Sequence, residues 1–230
     1  MLKYFINILC LILSIQAFSQ ETTETPKSEN YNPKTYGLRI GVDLIKPVLN
    51  FTNDNFNGGE IVADFRLNTK TFLAGELGYT KRSVEEDYYN SNVNGTYFKI
   101  GLNYNLYTNW LDMDNELFIG FRYGVSVFDS ELENYTIAQQ GTYFSPKTVN
   151  TNTTYNNLNT HWLDLVTGLK VEVLKNLYLG IMVNISKVIS DKEGGDIPNS
   201  YSPGIGEISK NGSGSNINYT ISYRIPLYKK

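Results

Sequence analysis

Cysteine is almost missing from this chain: one occurs in 230 residues, at position 10. A disulfide framework is therefore excluded, and if the leader that holds Cys10 is removed, no thiol remains. In an oxidising compartment the chain then needs another staple, and a sheet closed on itself is one. Histidine is equally scarce, with His161 alone. No histidine pair spaced for a metal, CxxC or nucleotide-binding glycine loop is present, and no cofactor is expected. An excess of charge is also lacking. The net charge is −3 and the lysines and arginines are scattered, which leaves no electrostatic footprint for nucleic acid. Long apolar runs are absent too, since the stretch Tyr4 to Leu13 is too short for a spanning helix.

That short run has another use. Lys3, the run itself and Ala17-Phe18-Ser19 before Gln20 make up the n-region, h-region and small-residue site of a secretory signal. Residues 1–19 are expected to be a cleaved signal peptide. Residues 20–35, rich in Thr, Glu, Pro and Asn without periodicity, are expected to form a flexible leader. No composition shift follows, so residues 36–230 are expected to be one domain. Cys10 follows Leu9 rather than a small residue and is not read as a lipidation site.

What is present is a period of two, stated most openly by Glu116 to Phe128. Its odd positions are apolar or aromatic and its even positions are mostly charged, small or polar. Only a strand separates the two sets. Seven other segments repeat the pattern: Tyr36 to Lys46, Glu60 to Leu67, Thr71 to Lys81, Thr96 to Asn105, Leu163 to Val173, Leu177 to Val188 and Ile217 to Leu227. The connections alternate as well. Residues 46–57, 82–93, 129–159 and 190–215 are long and polar, 68–70 and 174–176 are tight turns, and 106–114 is intermediate. Long loops thus fall at one end of an antiparallel meander, and eight strands can close with the interior filled by side chains.

Alternation alone does not say whether the apolar set points inward, as in a soluble lipocalin-like barrel, or outward into lipid. Glycines 37, 41, 78, 101, 120, 124, 168 and 180 share the parity of the charged residues, and a narrow lumen needs small residues beside bulky charged ones. The apolar face carries Tyr104, Tyr107 and Trp110 near the short-turn end, with Tyr36 and Tyr223 on the terminal strands, as an interfacial girdle would. Strands of about ten residues, with short turns on one side and long loops on the other, also fit an outer-membrane barrel. The expected fold is therefore all-β, an eight-stranded antiparallel up-and-down transmembrane barrel with a polar, charge-paired interior.

The polar face then lines the lumen. Arg39, Arg66, Lys99, Arg122, Lys170 and Arg224 are set against Asp43, Glu60, Asp64, Glu76, Glu116, Asp164 and Glu172. Charges taken out of water need partners, and this near-balanced set supplies them, which favours a filled, ion-paired core over an open pore. Lys46, Lys81 and Lys187 keep the outward parity near the long loops, where a lysine can snorkel to a lipid headgroup.

These residues resemble the small eight-stranded outer-membrane barrels of Gram-negative bacteria over Tyr36 to Lys230. The blocks Tyr36-Gly-Leu-Arg-Ile-Gly-Val-Asp-Leu44, Asn115-Glu-Leu-Phe-Ile-Gly-Phe-Arg-Tyr-Gly124, His161-Trp-Leu-Asp164 and Tyr219-Thr-Ile-Ser-Tyr-Arg-Ile-Pro-Leu-Tyr-Lys-Lys230 resemble a family of uncharacterised secreted barrels with no assigned activity. Such barrels commonly finish on an aromatic residue read by the barrel assembly machinery, which the resemblance implies as a partner beside outer-membrane lipid. Here Tyr228 is followed by Lys229 and Lys230.

A hydrolytic dyad would need His161 with Thr160 or Ser126 as nucleophile and Asp164 as orienter. No nucleophile motif surrounds these hydroxyls, and a His161-Trp162 pair is otherwise explained as an interfacial anchor, so no catalysis is expected. The expectation is an outer-membrane protein with a structural or surface-interaction role. Its loops 129–159 and 190–215 would meet an extracellular protein or glycan. The alternatives are a narrow channel and a rim-located lipid hydrolase.

Overall fold

The computed structural model describes residues 35–86, 88–107, 114–137, 147–192 and 199–229. The expected signal peptide, most of the expected leader and Trp110 lie outside them. The described chain is all-β but for one short helix. Its elements are β1 (Thr35–Asp43), α1 (Ile45–Thr52), β2 (Phe56–Arg66), β3 (Thr71–Glu86), β4 (Tyr89–Asn105), β5 (Glu116–Ile137), β6 (Lys147–Leu174), β7 (Leu177–Asp191), β8 (Tyr201–Ser202), β9 (Gly206–Glu207) and β10 (Ser213–Lys229). Eight of the strands form a closed antiparallel barrel in which each pairs with its sequence neighbour, and β1 pairs with β10 to seal it. The seam runs from Thr35↔Lys229 to Asp43↔Thr220, with one register shift at Tyr36/Gly37. There the rings of Tyr36 and Tyr228 stack 5.1 Å apart.

Each strand separates two environments, which is why it is a strand. In β5 the burial alternates residue by residue: Leu117, Ile119, Phe121, Tyr123 and Val127 are exposed, while Phe118, Arg122 and Ser126 are buried. The same alternation continues around the ring, with Ile40, Val42, Ile61, Leu73, Leu77, Phe98, Ile100, Leu165, Ile181, Ile185, Ile217 and Tyr219 outside. The polarity is therefore the inverse of a water-soluble barrel, with apolar side chains on the outer wall and charges within.

The tight connections form as their residues dictate. Asn68 accepts hydrogen bonds at its side-chain oxygen from the amides of Lys70 (2.9 Å) and Thr71 (2.7 Å), which closes the β2–β3 turn. Asn176, in the β6–β7 turn, takes a φ of 67°, a conformation asparagine tolerates better than most residues.

At the opposite end the chain departs from expectation. The connections expected over 82–93 and 129–159 are largely strand, because β3 runs on to Glu86, β4 starts at Tyr89, β5 reaches Ile137 and β6 begins at Lys147. The β3–β6 sheet thus continues past the rim. The connection over 46–57 contains α1, so the first strand stops at Asp43 and not at Lys46. Over 190–215, β8 and β9 pair with each other as a small hairpin.

Candidate functional site

The candidate site is the interior of the barrel, where the inward parity of seven strands and α1 concentrates charge. Its salt bridges fall into three separate networks. Nearest the tight turns, Arg39 bridges Asp64 (2.6 Å) and grips Glu116 with two nitrogens at 2.8 Å each, a forked geometry that suits a guanidinium and a carboxylate. Lys170 also pairs with Asp64. Arg66 joins Asp114 (2.8 Å) and lies 3.9 Å from Glu116, and Arg224 contacts Asp114 and Glu172. Counted as ionised, these four cations and four carboxylates cancel.

The middle network holds Lys99 between Glu76 (3.0 Å) and Asp164 (3.8 Å), with Arg122 3.4 Å from Glu76. Arg122 also donates to Asn103 and to the carbonyls of Leu102 and Phe121. Two cations again face two carboxylates. Ser186 donates to Asp164 at 2.5 Å.

The third network, below the mouth, is centred on Lys46, which donates to Asp43 (3.2 Å) and Glu60 (2.8 Å). Here one cation meets two carboxylates, and neutral donors offset the difference. Tyr97 donates its hydroxyl to Glu60, Asn218 donates to Glu60 at 3.0 Å, and the amides of Ile45 and Tyr219 donate to Asp43.

The structure places all thirteen lumen residues named from the sequence on the inner face. Twelve of them are buried and Glu172 is partly so. Lys46 is a correction. It was expected to reach outward to a lipid headgroup, yet it is 7% exposed and ion-paired inside. The physical reason is that the chain leaves the strand at Asp43, so outward parity no longer applies and α1 turns this residue toward the mouth. Lys81 and Lys187 do point outward and are exposed, and Lys187 donates to the main-chain oxygen of Asn211. Asp114 lay outside the sequence-derived set because it belongs to a connection with no alternation to place it.

Large rings fill the space between the networks. Trp162, Tyr178, Phe118 and Phe72 are each at most 2% exposed. Gly124 and Gly78 make room for two of the rings inside, since a methyl group on either would strike Trp162 or Tyr97. The expected His161-Trp162 anchor is thereby corrected: neighbours on a strand face opposite ways, and Trp162 lies in the lumen.

Above Tyr97 and Trp162 the mouth is closed by the β8–β9 hairpin. Ile205, fully buried, packs against both rings, and Gly204, at a φ of 89°, passes so close to them that a side chain there would collide. Ser202 and Ser126 share a hydrogen bond of 2.8 Å. Tyr201 packs with Val84, Val93, Phe128 and Leu158 of the wall, and its ring carries Arg82 5.0 Å from its centroid. Burial holds the Tyr201 hydroxyl above its ordinary value, with Arg82 pulling it the other way.

The hydrolytic constellation does not assemble. His161 sits on the outer face, where its Nδ1 shares a 2.7 Å hydrogen bond with the Tyr123 hydroxyl. Thr160, Ser126 and Asp164 point inward and are buried, with Thr160 donating to Asp191 at 2.6 Å. The sheet itself stands between the imidazole and both hydroxyls. Among the described residues no group of three His, Cys, Asp or Glu side chains is placed to hold a metal.

No curated protein sequence matches the chain. Among solved structures it is similar to the attachment invasion locus protein Ail of Yersinia pestis, at 10% identity and a TM-score of 0.41, over 82% of this chain and 96% of that one. It is also similar to CarO2 of Acinetobacter baumannii, at 12% identity and a TM-score of 0.35, over 84% of this chain and 100% of that one. At those scores neither likeness bears on what the chain does. Over residues 1–230, its whole length, the chain belongs to the family described as Domain of unknown function (DUF6048).

Proposed function

We propose that the chain is a non-catalytic outer-membrane barrel, exported through a cleaved signal peptide, whose rigid wall presents a surface for contact outside the cell. The observation that carries this is the inverted polarity of the wall. From Leu117 to Val127 the outward side chains of β5 are apolar or aromatic. At about 3.3 Å per residue and a tilt of about 40° that stretch rises about 25 Å along the axis, the height of the apolar band of an outer-membrane barrel. Water outside and ion pairs inside would be the wrong arrangement for a soluble protein, since it exposes the groups that gain most from burial.

Lipid is then the first partner, with Lys81 and Lys187 offered to headgroups from the outer wall. The barrel assembly machinery is a second, meeting the β1–β10 seam where Tyr36 stacks on Tyr228. A protein or glycan outside the cell is a third. Residues 129–159 and 190–215 support that role: β5 and β6 carry Tyr135, Tyr155 and a run of Thr and Asn beyond the rim, a composition suited to polar and aromatic contacts. Tyr89 donates to Ser200, which ties the second segment to the sheet. In this role the buried charges are structural, with no part in transport.

Cell fractionation tests the membrane placement. The protein should remain with outer-membrane sheets through carbonate extraction and be cut by external protease only in the β5–β6 extension. Recovery in the detergent-free periplasmic fraction would overturn it.

A further inference from the structure

Helix α1 has two chemically distinct sides. Ile45, Lys46 and Leu49 line a cavity of about 110 Å³ with Tyr201 and Gly204 of the mouth hairpin, so this side faces the barrel axis. Asn50 fixes the helix to β2 by exchanging two hydrogen bonds with the main chain of Gly58 (2.8 and 2.9 Å). At about 100° per residue, Val48 and Phe51 lie about 60° from one another and each about 140–160° from Lys46. They point away from the axis, 57% and 90% exposed.

One exposed apolar side chain is ordinary. These two are different because of where they sit. On the strand that leads into the helix the outer wall carries Val42 (44% exposed) paired with Ile61 (53%), and Ile217 of β10 (53%) borders the same cavity as Ile45 and Leu49. The apolar outer wall therefore reaches the level of the helix. Within α1 no charge interrupts it, because the helix's single charged residue is Lys46, which is paired inside.

We infer that the outward arc of α1, formed by Pro47, Val48 and Phe51, is a membrane-interface contact that lies in the outer leaflet beside β2 and β10. The helix continues the lipid-facing surface where the wall is lowest, since β1 ends at Asp43 while β3 to β6 run on past the rim. This is the arrangement of an interfacial amphipathic helix, with its apolar side sunk at the headgroup boundary. Lys46 is the clamp that sets its rotation, for its ion pairs with Asp43 and Glu60 hold the opposite side toward the lumen. The inference rests on the membrane placement proposed above.

Site-directed spin labelling separates the two. In a Cys10→Ser background, which removes the one thiol of the chain, nitroxide is attached at Phe51→Cys, at Phe121→Cys in the middle of the outer wall, and at Tyr88→Cys in the β3–β4 turn. Each protein is reconstituted into phosphatidylethanolamine–phosphatidylglycerol vesicles. Accessibility is read to oxygen, which concentrates in the bilayer, and to a nickel chelate, which stays in water. The oxygen-to-nickel ratio at 51 is expected to lie with that at 121, severalfold above that at 88. A ratio at 51 equal to that at 88, with 121 lipid-like, overturns the inference and leaves the membrane placement standing. Shielding of 51 from both reagents also overturns it, in favour of a protein contact. A water-like 121 overturns the placement itself, and the inference with it. Val48→Cys gives the same readout should Phe51→Cys fail to fold.

Discussion

Arg39 is 3% exposed, and what makes that burial tolerable is the number of groups that replace water around it. Asp64 and Glu116 take its nitrogens, and the rings of Phe72 and Tyr178 each lie 4.9 Å from its guanidinium carbon, close enough for cation–π attraction. Removing Glu116 leaves Arg39 with Asp64 but leaves the network one buried positive charge in excess. Glu116→Ala should cost about 3–5 kcal/mol, whereas Glu116→Gln, which keeps an acceptor for Arg39, should cost less. Urea unfolding of the reconstituted barrel, followed by its heat-modifiable gel mobility, checks both. Equal and small losses would mean that water reaches the lumen and the pairs are solvated. The inner residues were legible in the sequence because parity alone places them. Lys46 was not, since the first strand ends three residues before it and strand parity places no side chain once the chain has turned into α1.

The elements divide the same way. All eight barrel strands were legible wherever their two faces meet different media, as in Glu116 to Phe128. Beyond the rim both faces see a polar environment, and residues such as Thr148, Asn150, Thr151 and Asn152 of β6 carry no period to read. The helix α1 was hidden by its length, only two turns with Pro47 in the first. The mouth hairpin was hidden for another reason: strands of two residues have no period, and Tyr201 and Ile205 are single apolar residues in a stretch that otherwise reads as a loop. The hairpin has a testable chemistry of its own. The neutral Tyr201 hydroxyl is favoured when docked, because burial raises its ionisation above the ordinary tyrosine value of about 10. Its contribution is therefore complete below that pH and lost as pH rises through the raised value. Hydrogen exchange of Ser202 to Glu207 should accelerate more steeply above about pH 10 than that of β5, and Tyr201→Phe should abolish the difference. Exchange that tracks β5 in both proteins would mean the hairpin opens only with global unfolding.

At the level of the whole molecule, two independent barriers lie across the lumen, and they can be separated. The first is the hairpin, with Ile205 seated on Tyr97 and Trp162. The second is everything beneath it: the Lys99–Glu76–Arg122 network and the rings of Phe118, Phe72 and Tyr178, each almost fully buried. A permeating ion needs a continuous wet path, and it also needs charged groups free to exchange with it. Here the charges are already taken by one another. Replacing Tyr201–Glu207 with a short glycine-serine linker removes the first barrier only. In planar bilayers both the native barrel and this variant should show no stable conductance steps. A further change that takes Arg122 out of the middle network and the Trp162 ring out of the lumen together, Arg122→Ala with Trp162→Ala, should be needed before steps appear. Steps from the linker variant alone would make the hairpin a gate and the barrel a channel. Steps from the native protein would remove the closed-lumen assignment altogether.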